Sequence, residues 1–321
     1  MKCINIFAAI GFAVAAVLPI TPALAQLQHT FVSSNGSDLN NCSLAAPCRH
    51  LQAALVQTLA GGEIAILDTA GYNNATTVTI TKSISIVNPG GYEAEIAPPS
   101  GGIGIVINAG PGDVVTLRGL TIDGGGVGQT GIQLNTGASL IVDNCIIRNL
   151  NGDGIDFFPT NPVYPNLTVS NTLVANNGLS AIWVQPRGPI LAKVVFNRVE
   201  VNHNADNGIG IDGSKASSGG SIRATVSDSV AAGNGSSGFY AASIPAVSAV
   251  LMVVRSVTAN NGYGLLTSDS NTANIDLAQS TVTGNTSGWL INTYGIIYSF
   301  GDNYIDGNGA PSGSLTIISK Q

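Results

Sequence analysis

Short runs of alternating apolar and polar residues recur along the chain, and most of them end at Asn or Asp. The clearest copies are Asn144–Asn149, Asn171–Asn176 and Asn197–Asn202; an earlier copy is Arg118–Asp123, and weaker copies start at Asp228, Arg255, Gln279 and Asp302. Successive starts are 23 to 31 residues apart. A period of two between turn residues predicts β-strands, and repetition at this length predicts one solenoid coil per copy.

Each predicted coil has two further strands. A second strand follows each copy after a short turn: Gly131–Leu134, Gly154–Phe157, Ala181–Val184, Gly208–Ile211, Gly238–Ala241, Gly264–Thr267 and Gly288–Ile291. A third leads into the next coil: Leu167–Ser170, Val194–Phe196, Ile222–Val226, Leu251–Val254 and Ile275–Ala278. This pattern predicts an all-β fold, a parallel β-helix of three-strand coils. A sandwich or propeller is the alternative, but neither normally repeats at this length with Asn at one corner.

Asn recurs at the predicted corners because it tolerates the left-handed backbone of a tight turn. Stacked about 4.8 Å apart, such side chains can bond one another between coils. His203 falls at such a corner, where we take Asn177 and Asn234 as its equivalents. We therefore interpret His203 as a corner residue rather than a catalytic one.

One helical pattern stands before the coils, over Pro47–Leu59, with Leu51, Leu55 and Leu59 on one face. We expect residues 26–61 to form a cap over the N-terminal end and residues 62–321 to form the β-helix. The last predicted strand, Ser314–Ile318, is less obviously covered. We expect its edge to accept a partner chain, as in a homo-oligomer.

Residues 1–25 have the pattern of a secretory signal peptide: Lys2, an apolar run over Ile4–Ile20, and Ala23-Leu24-Ala25 before the expected cleavage site. A membrane anchor is the alternative, but the run is short and Pro19 and Pro22 interrupt its end. We therefore expect a secreted protein, extracellular or periplasmic, with no membrane association once the signal is removed.

Composition limits the classes of molecule that this protein is expected to bind. The full chain has 12 basic and 18 acidic residues, a net charge of −6, and losing Lys2 with the signal would leave 11 against 18, or −7. This balance disfavours nucleic acid and anionic membranes, which require basic patches. Only 9% of residues are charged, so solubility depends on Asn, Ser, Thr and Gly.

The spacing of the cysteines is that expected of an exported protein. Cys42 and Cys48 are close in sequence and predict a small disulfide loop. Metal binding is the alternative, but no further Cys or His lies at ligand spacing. Cys145 has no assigned role. No motif indicates a cofactor, and a calcium ion has no motif to support it.

The chain resembles the pectin-lyase-like superfamily of right-handed parallel β-helix proteins, in particular secreted bacterial ones. The resemblance is carried by Phe31–Asp38, Ala46–Ala54, Gly62–Tyr72 and Ile80–Ile86, and it extends over nearly all of the mature chain. It implies a right-handed β-helix with a capped N-terminal end. It implies little about activity, because this fold serves lyases, hydrolases, epimerases, phage spikes and adhesins.

Family catalytic motifs are mostly missing. Asn151–Asp156 is similar to an Asn-x-Asp-Gly stretch of polygalacturonase-like hydrolases, but the paired Asp, Gly-His-Gly and Arg-x-Lys motifs that should follow are absent. The Asp-Pro-His-Asp motif of mannuronan epimerases is absent too, and the Asp-rich calcium site and Arg base of pectate lyases have no clear counterpart.

One outer face combines aromatic, acidic and basic residues. Period-two alternation in the second strands points one row outward: Gln133, Asp156, Trp183, Gly210, Tyr240, Leu266 and Leu290. We predict Asp153, Asp156 and Asp212 as catalytic residues, and Trp183, Gln185, Arg187, Lys215 and Tyr240 as substrate-binding residues. Gly210 is expected to leave a notch between the two aromatic rings.

Flat aromatic rings beside carboxylates suit sugars, so a polysaccharide is the predicted partner. Asp156 and Asp212 are expected about 12 Å apart, which fits neither a retaining nor an inverting glycosidase. A lyase or epimerase would need one base and a cation, for which Arg187, Lys215 or Tyr240 could serve. The hypotheses are polysaccharide binding, action of the lyase, epimerase or hydrolase type, or a non-catalytic structural or adhesive role.

Overall fold

The computed structural model describes residues 26–161, 163–268, 272–292 and 294–320. The predicted signal peptide lies outside these residues. One helix, α1 (Leu51–Gln57), accompanies the strands. In chain order the strands are β1 (Leu27–Val32), β2 (Thr58–Ile66), β3 (Ala70–Gly71), β4 (Val78–Ile80), β5 (Ile84–Val87), β6 (Ala94–Ile96), β7 (Ile103–Asn108), β8 (Val114–Arg118), β9 (Leu120–Asp123), β10 (Thr130–Thr136), β11 (Ser139–Asp143), β12 (Ile146–Arg148), β13 (Ile155–Phe157), β14 (Asn166–Ser170), β15 (Leu173–Ala175), β16 (Ile182–Val184), β17 (Leu191–Asn197), β18 (Glu200–Asn202), β19 (Ile209–Asp212), β20 (Ser221–Ser227), β21 (Val230–Ala232), β22 (Ser237–Ala242), β23 (Ser248–Val254), β24 (Val257–Ala259), β25 (Tyr263–Ser268), β26 (Ala273–Ala278), β27 (Thr281–Thr283), β28 (Ser287–Ile291), β29 (Ile296–Ser299), β30 (Tyr304–Asp306) and β31 (Thr316–Ile317).

The described strands form three parallel sheets that wind round one core, which confirms the predicted β-helix. The first sheet has the order β1-β2-β5-β8-β11-β14-β17-β20-β23-β26-β29-β31. The second runs β4-β7-β10-β13-β16-β19-β22-β25-β28, and the third runs β3-β6-β9-β12-β15-β18-β21-β24-β27-β30. Each strand pairs with its equivalents in the neighbouring coils, so one residue of each coil stacks on its counterpart.

Aliphatic side chains fill the space between the sheets. In the second sheet the inward row is uniform: Ile132, Ile155, Ile182, Ile209, Phe239 and Leu265 are all fully buried and in register. Stacking these residues removes from water an apolar face that a single coil could not bury. The second sheet is therefore a rigid support for whatever lies on its outer side.

A ladder of Asn side chains, buried except for the half-buried Asn308 at its end, follows one corner of the coils, between the third and second sheets. Each Nδ2 donates to the Oδ1 of the next Asn at 2.8–3.0 Å, through Asn177, Asn204, Asn234, Asn261, Asn285 and Asn308. Bonding between like side chains of neighbouring coils is confirmed.

The corner alignment needs two corrections. His203, with φ of 56°, is in register with Asn176 and Gly233 and not with the ladder, so the equivalents predicted for it are one residue off. At the corner between the first and third sheets, Arg198 and not Asn197 takes the left-handed position. Because the strands are short, the sequence pattern alone allows the coils to be aligned with an error of one residue. Only the observed pairing of strands decides the register.

The N-terminal end is held by the predicted disulfide between Cys42 and Cys48, both buried. The helix is shorter than the predicted Pro47–Leu59. Leu51 and Leu55 are buried, whereas Leu59 already belongs to β2 and is 40% exposed. Because the disulfide holds the chain at Cys48 and β2 pairing starts at Thr58, only two turns remain for α1.

At the other end, the last strand β31 pairs only with β29 in the described residues. Ile317 and Tyr304 are exposed there. Pairing with a second copy at this edge stays a prediction. None of the helices formed by the described residues is long and apolar enough to cross a bilayer.

We expect Asn234→Ala to lower the free energy of unfolding by about 3 kcal/mol, because it removes the Oδ1 that accepts from both the backbone N–H and the side-chain Nδ2 of the buried Asn204. Urea unfolding followed by circular dichroism measures the change. Asn151→Ala is the matched control, since Asn151 is exposed and outside the ladder, and it should change stability by less than about 0.5 kcal/mol. Equal losses in the two variants would contradict a stabilising ladder.

Candidate functional site

The outer row of the second sheet has the predicted register. Strand pairing aligns Gln133, Asp156, Trp183, Gly210, Tyr240, Leu266 and Leu290, one per coil. Whereas the inward row repeats one kind of side chain, this row changes at every coil. It therefore brings unlike chemical groups to neighbouring positions about 4.8 Å apart.

Trp183 and Tyr240 form a stacked aromatic pair, with ring centroids 5.6 Å apart and planes 19° apart. The predicted notch at Gly210 does not exist, because the Trp183 ring fills it. A Cβ built on Gly210 would lie 2.3 Å from Cζ3 of Trp183. The Tyr240 hydroxyl shares a hydrogen bond of 2.8 Å with Oγ of Ser268, which holds the second ring in place.

Asp153 and Asp156 are neighbours, and each carboxyl group affects the pKa of the other. Asp156 is only 5% exposed, which corrects the expectation of an open outward carboxylate. Its Oδ1 has no N–H or O–H donor among the described residues, while Oδ2 faces the Thr130 hydroxyl at 3.5 Å. Two ionised carboxylates cannot hydrogen-bond each other, so a hydrogen bond between these two groups would require a proton on one of them.

The same arrangement shifts the pKa of both groups upward. Burial is the largest cause of the raised pKa of Asp156, about 8, and the charge and hydrogen bond of Asp153 add to it. The Thr130 hydroxyl and the Arg187 charge oppose the rise. Burial also raises the pKa of Asp153, although the backbone N–H of Ser180 donates to it at 2.8 Å. At neutral pH the pair therefore holds one proton.

Asp212 is placed apart from this pair. It lies two coils and two residues from Asp156, about 10 Å along the axis and about 7 Å across. It is 7% exposed and accepts hydrogen bonds from the Gln185 side chain and from the backbone and hydroxyl of Ser214. These contacts hold the loop that begins after β19.

Arg187 and Lys215 are exposed on two stacked loops that follow β16 and β19. The loops pair at Gly188 and Ala216, and the Gly188 N–H donates to the Lys215 carbonyl at 3.2 Å, so the two cations are in register. The Arg187 guanidinium lies over the Phe158 ring, 5.1 Å from its centroid. Two exposed cationic residues thus occupy equivalent positions on adjacent coils at the edge of the site.

Sequence reasoning missed the polar groups that support the acid pair. Ser180 donates its hydroxyl to Asp206, whose carboxylate also accepts from Asn207 at 2.8 Å. Ser237 continues this line by donating to Asn207 at 2.6 Å. The available signal was positional: Asp153, Ser180, Asn207 and Ser237 each directly precede the Gly or Ala that opens a second strand.

Other polar surfaces lie away from this face. A cavity of about 500 Å³ at the Asn corner is lined by Asn149, Asn151, Asn176 and His203 among others. In the part of the chain that the structure describes, no three His, Cys, Asp or Glu residues are grouped so as to hold a metal ion.

The raised pKa of Asp156 predicts how stability depends on pH. Between about pH 4 and pH 8 the folded protein holds a proton that the unfolded chain releases, so stability falls as pH rises, by at most about 1.4 kcal/mol per pH unit. Asp156→Asn cannot titrate and should flatten this slope. Thermal unfolding at a series of pH values measures it. Asp306→Asn, at an exposed position, should retain the wild-type slope; an unchanged slope in Asp156→Asn would refute the shared proton.

The comparisons with known proteins agree with the fold. A family model described as the right handed beta helix region matches residues 70–222. The alginate lyase from Paenibacillus sp. str. FPU-7 aligns at 14% identity with a TM-score of 0.53, over 90% of this chain and 100% of that one. The pectate lyase Pel9A aligns at 15% identity with a TM-score of 0.52, over 93% and 80%. No curated protein sequence matches significantly. The protein is a right-handed parallel β-helix protein, and it is similar in fold to these polysaccharide lyases.

Proposed function

We propose that this protein binds a polysaccharide on the outer face of the second sheet, outside the cytoplasm. The observation that carries the proposal is the presence of a stacked aromatic pair, Trp183 and Tyr240, beside two exposed cations, Arg187 and Lys215, on adjacent coils. The Cys42–Cys48 disulfide supports an oxidising compartment. The two solved structures of similar fold carry the names of polysaccharide lyases, which is consistent with the proposal without carrying it.

Each group has a part in binding. An aromatic ring offers an apolar surface to the C–H face of a sugar, while neighbouring polar groups bond its hydroxyls. Neither Arg187 nor Lys215 forms an ion pair in the described part of the chain, although the protein is acidic and the two residues occupy equivalent positions on adjacent coils. A carboxylate of the polymer would supply the counter-charge that the two cations lack, and Arg187 can bind it through two N–H groups. The polymer is therefore an acidic one.

Affinity electrophoresis in gels that contain alginate or polygalacturonate tests binding. The wild-type protein should be retarded, and Trp183→Ala should lose most of the retardation because the stacking surface is removed. Tyr304→Ala is the matched control. This tyrosine is 76% exposed on the third sheet, so its removal should leave the retardation unchanged. Arg187→Ala combined with Lys215→Ala should weaken retardation by acidic polymers and leave neutral ones unaffected. Wild-type mobility unchanged by every polymer would refute the proposal.

A second candidate function is proton-transfer chemistry, and the shared proton of Asp153 and Asp156 favours it. The protonated member of such a pair is a general acid and the ionised member a general base. We take the pair as unsuited to glycoside hydrolysis, because two carboxyl groups that share a proton lie closer than the separations of about 5–5.5 Å or about 6.5–9.5 Å that hydrolases need. Asp156 with Asp212 is too widely spaced.

Elimination or epimerisation of a uronate is the chemistry that remains. A carboxylate removes the proton next to the sugar carboxyl group, and the electron pair either forms a double bond as the glycosidic C–O bond breaks or recaptures a proton on the opposite face. Arg187 or Lys215 would stabilise the negative charge that develops on the sugar carboxylate. Asp153 is the more exposed member of the pair and so the one that would meet substrate first.

Incubation with alginate and polygalacturonate distinguishes the candidates. Elimination is followed by the ultraviolet absorbance of the unsaturated product, and epimerisation by proton NMR of the polymer. If the chemistry occurs, Asp153→Asn and Asp156→Asn should each lower the rate at least 100-fold, while Asp306→Asn should not. No product from a wild-type protein that is retarded in the gel would refute the catalytic candidate and leave binding in place. Absence of both activities would favour a structural or adhesive role.

A further inference from the structure

Gly210 is the one outward residue without a side chain between Asp156 and Tyr240 in the outer row. Its backbone gives no reason for glycine, because Gly210 does not have the positive φ that would exclude other residues. The reason for glycine is the side chain that packs against Gly210 on the outer face of the sheet. The three atoms nearest to a Cβ built on Gly210 all belong to Trp183, two of them at 2.3 and 2.4 Å. No Cβ fits at that distance, so the Trp183 ring can occupy this position only over glycine.

Because Gly210 leaves this space to the indole, Trp183 can contact Tyr240, which lies two coils further along the axis. The backbones of Trp183 and Tyr240 are about 9.6 Å apart along the axis, because one coil lies between them. Their ring centroids are nevertheless only 5.6 Å apart. The Trp183 ring therefore extends along the axis over Gly210 to meet Tyr240, whose hydroxyl is held by Ser268.

We propose that Gly210 is a positioning residue that preforms an aromatic platform of Trp183 and Tyr240, and that the platform takes the apolar C–H face of a pyranose ring in the bound polysaccharide. The ligand class rests on the proposed function; the role of Gly210 in placing the ring does not. A preformed platform binds more tightly because its side chains lose little freedom on binding. Stacking between the rings stabilises the arrangement in the absence of ligand.

Gly210→Ala tests the platform by two independent measurements. The added Cβ should displace the Trp183 ring toward solvent, so the near-ultraviolet circular dichroism of the aromatic pair should decrease. Retardation by the polymer gel should weaken at least tenfold. Gly112→Ala is the matched control, because Gly112 has no positive φ and open space where its Cβ would lie, and it should change neither signal.

A double-mutant cycle guards against a variant that simply fails to fold. Gly210→Ala in a Trp183→Ala background should fold as Trp183→Ala does and bind no more weakly, because the ring that clashes is gone. An additional loss of binding there would overturn the positioning role, as would wild-type dichroism in Gly210→Ala. If Gly210→Ala reduces the dichroism but the wild-type protein binds no polymer, the placement of the ring stands while the ligand and the proposed function both fail.

Discussion

Every feature of this molecule depends on the in-register parallel stacking of successive coils. Backbone hydrogen bonds fix each strand against its equivalents, so a residue meets the corresponding residue of the next coil about 4.8 Å away. Where the corresponding residues are alike, they form continuous structures such as the row of buried isoleucines and the Asn ladder. The ladder satisfies polar groups that would otherwise be buried without partners, because each amide both donates and accepts.

The same stacking separates stability from function on the two sides of one strand. In the second sheet the inner row keeps one chemical character from Ile132 to Leu265, while the outer row passes from an amide to a carboxyl group, an indole, a glycine and a phenol. Residues that face the core are constrained by packing, whereas outward residues can vary without disturbing it. A solenoid can thus carry a site on any face.

The acid pair shows what burial does in a chain with so few charges. Among the described residues no cation contacts Asp153 or Asp156 directly, and Arg187 acts on Asp156 only through its electrostatic field. Such a pair avoids the cost of two buried charges by keeping one proton. Asp212 in the neighbouring row, which also has little exposure, instead accepts three hydrogen bonds and supports a loop. The role of each of these two buried aspartates therefore depends on the hydrogen-bond donors that face its carboxyl group.

The sequence by itself determined the solenoid, its coil length, the disulfide loop and the composition of the outer row. These follow from local patterns: alternation with a period of two, turn residues at regular intervals, and two cysteines six residues apart. Only the tertiary structure decided that the Trp183 ring fills the space over Gly210, that Asp156 is buried against Asp153, and that His203 aligns with Asn176. The direction in which a side chain leans, and the donors that reach a carboxyl group from the next coil, depend on residues about 27 positions away, which no local pattern records.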